Sequence, residues 1–290
     1  MTPNSSKVIL ITGCSSGFGM LTAARLSSKG HHVIATMRDL KKKDTLLNET
    51  NIRGGQVQIE YLDVTDKNSI EEVKSKIADT YGYLDILVNN AGYGIGGAFE
   101  DLMQEEIRAI METNFFGVQN VTRAMIPLMR QKKTGKIINI SSISGFNSSP
   151  LFGAYSSSKW ALEAFSESLY YELKPFGIQV LLVEPGPYQT KIFFENARYA
   201  RNFDNPQSPY YPLSQYFKEK VNERISVNEK DPEDVAALIE KLIHEKNPRF
   251  RNIPDIEGQT LALLKRILPF RVFSWLYEKG LYHNSNIKLN

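Results

Sequence analysis

Tyr155 and Lys159 stand four residues apart in the stretch AYSSSKWALEAFSESLYYELK. On a helix that spacing puts both side chains on one face. A free phenol titrates near pH 10, too high to exchange protons readily at neutrality. An ammonium within a few ångströms favours the phenolate and lowers that value by ~1–3 units. Such a pair can serve as general acid or base toward the oxygen of a carbonyl or an alcohol. The same spacing recurs at Tyr170/Lys174 and Tyr216/Lys220. The former closes its helix, where a Lys suits the dipole, and the latter lies in a loosely patterned region; both are read as structural. The first pair differs by its setting. The strand-like KIINISS before it ends in Ser141 and Ser142, hydroxyls able to hold a substrate oxygen.

A second chemical feature is KVILITGCSSGFG, an apolar run that breaks into a turn holding Gly13, Gly17 and Gly19. A strand ending in such a turn and opening a helix offers unpaired N–H groups at the positive end of the helix dipole. Glycines let the turn be sharp and let a pyrophosphate approach. The spacing G-x-x-x-G-x-G is a variant of the common dinucleotide fingerprint G-x-G-x-x-G. Where an NAD-binding chain carries an acid at the end of its second strand, this one has Met37 followed by Arg38, and Asp39 comes only after the strand. Arg38 is able to pair with a ribose 2′-phosphate, so NADP is favoured over NAD. Lys41–Lys43 either reinforce that preference or form a solvated surface.

Strand-like and helix-like segments alternate around these features. Strands are predicted at Val8–Thr12, His31–Arg38, Val57–Val64, Leu84–Gly92, Lys136–Ser142 and Ile178–Pro187. Helical patterns cover Gly19–Lys29, residues 66–82, Glu105–Arg130 (one long helix or a pair) and Tyr155–Leu173. Several strands are apolar throughout, as strands buried on both faces of a parallel sheet are. The expected fold is a single-domain α/β chain over 1–290, a doubly wound parallel sheet of Rossmann type. After Pro187 the pattern loosens, and residues 188–230 are rich in Tyr and Phe. They are read either as a lid over a bulky apolar substrate or as a local core. Asp231 and Pro232 announce a further helix. The C-terminal extension, 250–290, is apolar with interspersed Lys and Arg. Packing against the lid or a partner subunit is favoured there over contact with a membrane surface, and Pro269 breaks any single long helix.

Composition excludes several classes. With 35 Lys and Arg against 32 Asp and Glu, scattered along 290 residues, there is no clustered basic face for nucleic acid. One cysteine, Cys14, allows no intrachain disulfide and fits a reducing compartment. The polar opening MTPNSSK suggests no secretory leader, and no apolar run reaches the ~18 residues of a membrane helix; a cytoplasmic location is expected. The four histidines show no ligand spacing, so no metal is expected, and a Ser–His–Asp hydrolase is not expected.

Taken in order, Thr12-Gly13-x-x-x-Gly17-x-Gly19, Asn89-Asn90-Ala91-Gly92, Asn114, Ser142, Tyr155-x-x-x-Lys159 and Pro185-Gly186 resemble the motifs of the short-chain dehydrogenase/reductase family over residues 7 to about 190. The nearest likeness is to NADP-preferring members of the 17-beta-hydroxysteroid and retinol dehydrogenase type. The resemblance implies a catalytic tetrad of Asn114, Ser142, Tyr155 and Lys159: Ser142 holds the substrate oxygen, Tyr155 transfers the proton, Lys159 lowers the Tyr pKa and binds the nicotinamide ribose, and Asn114 anchors a water. It implies a cofactor site of Gly13, Ser15, Ser16, Gly17, Phe18, Gly19, Arg38, Asp63, Val64, Asn90, Ala91, Gly92, Tyr155, Lys159, Pro185, Gly186 and Thr190, with Asp63 at the adenine edge and Thr190 at the carboxamide. It also implies NADP(H)-dependent interconversion of a carbonyl and an alcohol on a small-molecule substrate, in a homodimer or homotetramer formed through the two long helices. The competing class is a cofactor-binding regulatory or scaffold protein with little turnover. Such a protein is expected to have lost Tyr155, Lys159 or Ser142, and all three are present.

Overall fold

The computed structural model describes residues 6–188, 198–226 and 230–282. Its strands are β1 (Val8–Ile11), β2 (His32–Met37), β3 (Val57–Tyr61), β4 (Ile86–Asn89), β5 (Ile95–Gly96), β6 (Gly135–Ile140), β7 (Ile178–Val183), β8 (Arg198–Tyr199) and β9 (Arg251–Asn252). Seven form one parallel sheet in the order β3-β2-β1-β4-β6-β7-β9, and β5 pairs with β8 apart from it. The helices are α1 (Gly17–Ser28), α2 (Lys43–Ile52), α3 (Lys67–Tyr81), α4 (Gln104–Met111), α5 (Gly117–Arg130), α6 (Gly153–Leu173), α7 (Tyr211–Ser226), α8 (Glu233–His244), α9 (Ile256–Ile267) and α10 (Phe270–Leu281).

The doubly wound arrangement follows from the all-apolar strands. In β1, Val8 and Leu10 point into a cluster with Val73 and Ile77 of α3 and Val121 and Met125 of α5. Ile9 and Ile11 point the other way, into a cluster with Ala23 and Leu26 of α1 and Val235 and Ile239 of α8. Both faces therefore need a helical layer, and each side chain so buried contributes ~1.5–3 kcal/mol. Among the described residues, no helix is long and apolar enough to cross a membrane.

Three details of the structure add to the sequence reading and bear on the site. Of the one long helix or pair expected over Glu105–Arg130, the structure has the pair: α4 and α5 joined by a π-helical turn, Glu112–Phe116, the kind of widened turn that recurs at functional sites. A seventh main-sheet strand, β9, pairs with Leu182 and Val183; two polar residues are too short and too polar to show a strand period. The loosely patterned region contains α7, which packs through Phe217 against Ala200, Phe203 and Tyr282 in a cluster of its own.

Candidate active site

The glycine turn lies at the C-terminal end of β1, beside the end of β4. The strand order reverses there, and an open α/β sheet leaves a crevice. Gly13 (φ +74°) and Gly17 (φ +59°) occupy the left-handed backbone region that disfavours any side chain. Close packing explains Gly19 and adds to the case for Gly13. A Cβ on Gly19 would fall against the Asn90 amide and 2.6 Å from the Gly13 carbonyl oxygen, and one on Gly13 would lie 2.8 Å from the Ala91 Cα. The neighbouring segment grips the turn in return. Asn90 Nδ2 donates to the Thr12 and Gly13 carbonyls at 2.9 and 3.0 Å. Thr12 Oγ1 accepts from the Asn90 and Ala91 N–H groups, each at 3.0 Å. Ser16 precedes α1 without capping it through its side chain, so the first-turn N–H groups keep their donors for a ligand.

Tyr155 and Lys159 lie in the first two turns of α6. Lys159 is buried and donates from Nζ to the Ile140 carbonyl at 2.8 Å, at the end of β6. The same Nζ stands 5.9 Å from the centre of the Tyr155 ring. Burial pushes the Tyr155 phenol above its ordinary value, opposed by a hydrogen bond with Ser142. Burial also lowers the Lys159 ammonium to about 8, with the charge of Glu163 opposing it. Asn114 sits fully buried within the π turn. Its Oδ1 accepts from the Tyr93 N–H at 3.0 Å, and its Nδ2 donates to the Tyr93 carbonyl at 2.9 Å and to Ser158 Oγ at 3.1 Å. Gly92 lets these groups converge: a Cβ there would lie 3.0 Å from Asn114 Oδ1 and 3.9 Å from Lys159 Nζ. Asn114 thus buttresses the Tyr93 loop with its side chain.

One cavity of about 600 Å³ joins these groups. Gly13, Ser15, Ser16, Gly17, Phe18, Arg38, Asp63, Val64, Asn90, Ala91, Gly92, Ser142, Tyr155, Lys159, Pro185 and Gly186 all line it. Gly19 and Asn114 stand behind the wall, and Thr190 lies outside the described residues. Five cations (Arg38, Lys42, Lys159, Arg198, Lys220) face two acids (Asp39, Asp63) on the described wall, a balance that suits an anionic ligand. Of the three lysines 41–43, only Lys42 reaches it.

The sequence profile of the short chain dehydrogenase family matches residues 7–199. This chain belongs to that family. It is 42% identical over 247 residues to a 3-ketodihydrosphingosine reductase of Bacteroides thetaiotaomicron, covering 84% of this chain and 86% of the relative. It is 34% identical over 269 residues to human retinol dehydrogenase 8, covering 90% and 85%. A short-chain dehydrogenase structure from Streptomyces avermitilis superposes with a TM-score of 0.78 at 33% identity, covering 96% and 97%. A metagenomic short-chain oxidoreductase in complex with NADP superposes at 0.67 and 27%, covering 87% and 97%.

Several parts of this short-chain dehydrogenase escaped the sequence reading. Tyr93, Arg198, Lys220, Tyr277 and Leu281 line the cavity, and the Arg198 guanidinium lies 4.1 Å from the centre of the Tyr93 ring. Lys220, read as structural from its spacing, is on the wall; only its place on an aromatic-rich helix hinted at that. Near Lys159 lies a buried acid pair. Glu163, one turn after Lys159, and Glu184, just before Pro185, both bond Nη1 of Arg251 from β9, Glu184 at 3.1 Å. Burial raises both carboxyls, Glu184 to about 7. A Cβ on Gly145 would stand 2.8 Å from Ser141 Oγ and 2.9 Å from Glu163 Oε1, so the turn after Ser142 packs directly on Glu163. Two acids and an arginine spread over three distant segments leave no local pattern to read.

Proposed function

We propose that this protein is an NADP(H)-dependent oxidoreductase that interconverts a carbonyl and a secondary or primary alcohol on a bulky apolar substrate. The observation that carries this reading is the single cavity on which Ser142, Tyr155 and Lys159 open together with the glycine turn.

The residues present fit a nicotinamide dinucleotide. The left-handed turn at Gly13 and Gly17, the uncapped start of α1 and the cationic wall suit a diphosphate. Arg38 and Lys42, together past the end of β2, suit a further phosphate on the ribose. Asp63 and Val64 would flank the adenine, and Asn90, Gly92, Pro185 and Gly186 the remainder, with Thr190 as a carboxamide contact. The cofactor supplies hydride transfer when bound. The rest belongs to the chain. Ser142 donates a hydrogen bond to the substrate oxygen. Tyr155, held protonated across neutral pH by its burial, gives that oxygen a proton in the reductive sense and takes it back in the oxidative sense. The Lys159 ammonium stabilises the phenolate left behind, its Nζ fixed by Ile140, and Asn114 holds the Tyr93 loop in place.

Phe217, Val221, Tyr277 and Leu281 give the cavity an apolar end, which supports the bulky substrate. The names of the two relatives denote substrates with long hydrocarbon chains, and we take this chain's substrate to be of that class. We also infer assembly through α4, α5, the π-helical turn between them and α6, where Phe116 and Tyr171 stay exposed, and residence in the cytoplasm, where the buried Cys14 thiol stays reduced.

Tyr155→Phe tests the mechanism. NADPH-dependent reduction of a long-chain ketone should fall about 10²–10⁴-fold, while NADPH binding, followed by its fluorescence, stays nearly unchanged. Retained turnover would remove Tyr155 from its role. Cofactor binding without turnover of any carbonyl by the unmutated protein would favour the regulatory reading.

A further inference from the structure

We propose that the outer faces of α9 and α10 dock on an anionic lipid bilayer and set the mouth of the cavity against it. Seventeen large apolar side chains are exposed among the described residues, and eight of them fall within residues 256–276. Elsewhere they are scattered singly along the chain, as on any surface. On α9, Leu263 and Ile267 are one turn apart and 57% and 61% exposed; Phe270, which opens α10, is 78% exposed. On α10, Val272, Trp275 and Leu276 follow at i, i+3 and i+4 and are 44–54% exposed.

The opposite side of α10 is also apolar and is already occupied. Phe273 is buried, and Tyr277 and Leu281 line the cavity. Tyr277 Oη is 2.6 Å from Ser149 Oγ, and Tyr216 Oη donates to the Leu281 carbonyl at 2.7 Å. A helix apolar on both sides is stable only if both are covered. The inner side covers the substrate space, and the outer side calls for a partner.

Charge selects that partner. Arg266, Arg271 and Lys279 are exposed beside the apolar stripe, and Lys279 Nζ stands 4.0 Å from the centre of the Trp275 ring. The acids on these helices are Glu257, tied to Lys230 at 2.8 Å, and Glu278. A two-fold contact with a second copy would press a surface of net positive charge against its like. An apolar stripe flanked by Lys and Arg and carrying Trp and Phe is instead the pattern of a helix lying in a lipid interface. Each helix is only 12 residues long, so the pair lies on a bilayer without crossing it. Docking does not depend on the proposed chemistry. Joined to it, docking would pass an apolar substrate from the bilayer to the cavity wall at Tyr277 and Leu281.

Vesicle flotation of the full chain tests this. The protein should rise with mixed phosphatidylcholine–phosphatidylglycerol vesicles, less with phosphatidylcholine alone, and less again as salt increases. Trp275→Ser combined with Leu276→Ser should weaken that binding roughly tenfold or more, with its melting temperature and its turnover of a short, water-soluble ketone unchanged. Protein that stays at the bottom with anionic vesicles overturns the proposal. A double variant that floats as well as the unmutated chain also overturns it. So does a double variant whose only change is a smaller mass by light scattering, because a second copy then covers the face. Flotation reads lipid binding alone, so failure of the oxidoreductase reading would leave its result standing.

Discussion

In the half of the molecule that carries the glycine turn, main-chain atoms and amides fix position. Thr12, Gly13, Asn90 and Ala91 interlock through four hydrogen bonds of 2.9–3.0 Å, and Asn114 clamps the Tyr93 backbone from both sides. In the half after residue 198, aromatic side chains take over. Tyr199 and Phe203 pack as tilted rings with centres 4.4 Å apart, and Tyr216, Phe217 and Tyr282 join them in the same cluster. Hydrogen bonds of fixed length suit a site where atoms must meet within a few tenths of an ångström. Ring packing tolerates repacking and suits a wall that faces a hydrocarbon of adjustable shape.

The sharpest way to break this contrast is one chemical change made in each half. Gly19→Ala pushes a methyl group into the Gly13 carbonyl oxygen. It should cost ~1–3 kcal/mol of stability and lower NADPH affinity about a hundredfold, read by thermal melting and cofactor titration. Gly280→Ala meets nothing within 4 Å and should leave both within error or stabilise α10 by ~0.5–1 kcal/mol. Equal damage from the two would end the distinction.

Next in size is Arg38→Ala. Loss of a charge-assisted pair should weaken NADPH about 10–100-fold and NADH hardly at all; an equal loss for both would overturn the NADP preference. Phe217→Ala then probes the aromatic half. Michaelis constants for long-chain ketones should rise about tenfold while those for short ketones and for NADPH hold. A parallel rise in all three would mean that Phe217 props up the whole site.

The smallest effect sits between the halves, where Arg251 bridges Glu163 and Glu184. The Glu184 carboxyl is raised to about 7 from an ordinary 4.5. The folded chain therefore binds that proton more tightly than the unfolded one. Its contribution to stability is complete below about 4.5 and is lost as pH rises through about 7. Glu184→Gln mimics the protonated form. Its melting temperature relative to the unmutated chain should climb by a few degrees between pH 4.5 and 7. A flat difference would show that the carboxyl is already ionised in the fold.

Six of the seven strands of the sheet are legible in the sequence, most plainly where burial writes an apolar run, as in β1 and β4; Arg251–Asn252 is not, because two polar residues carry no period. The site was legible where one short segment holds the chemistry, as at Gly13–Gly19 and Tyr155–Lys159. Arg198, Lys220, Tyr277 and Leu281 reach the same cavity from remote segments, and tertiary packing alone selects them from among similar residues. The aromatic count marked the region after Pro187 but left its organisation open, since Tyr and Phe serve cores and ligand walls alike. The widened turn at Asn114 was invisible, because the residues of Glu112–Phe116 suit an ordinary helical turn as well as a π-helical one.

The two outermost strands of the main sheet end it in different ways. On one border β9 offers only two residues of backbone, too few for a stranger's strand to grow on. On the other, Glu60 bonds Lys76 at 2.5 Å and accepts from Gln58 at 2.9 Å, so an incoming chain would have to strip water from an ion pair first. Short rims and charged rims both discourage edge-to-edge aggregation, which leaves a sheet this apolar able to persist at high concentration without recruiting its neighbours.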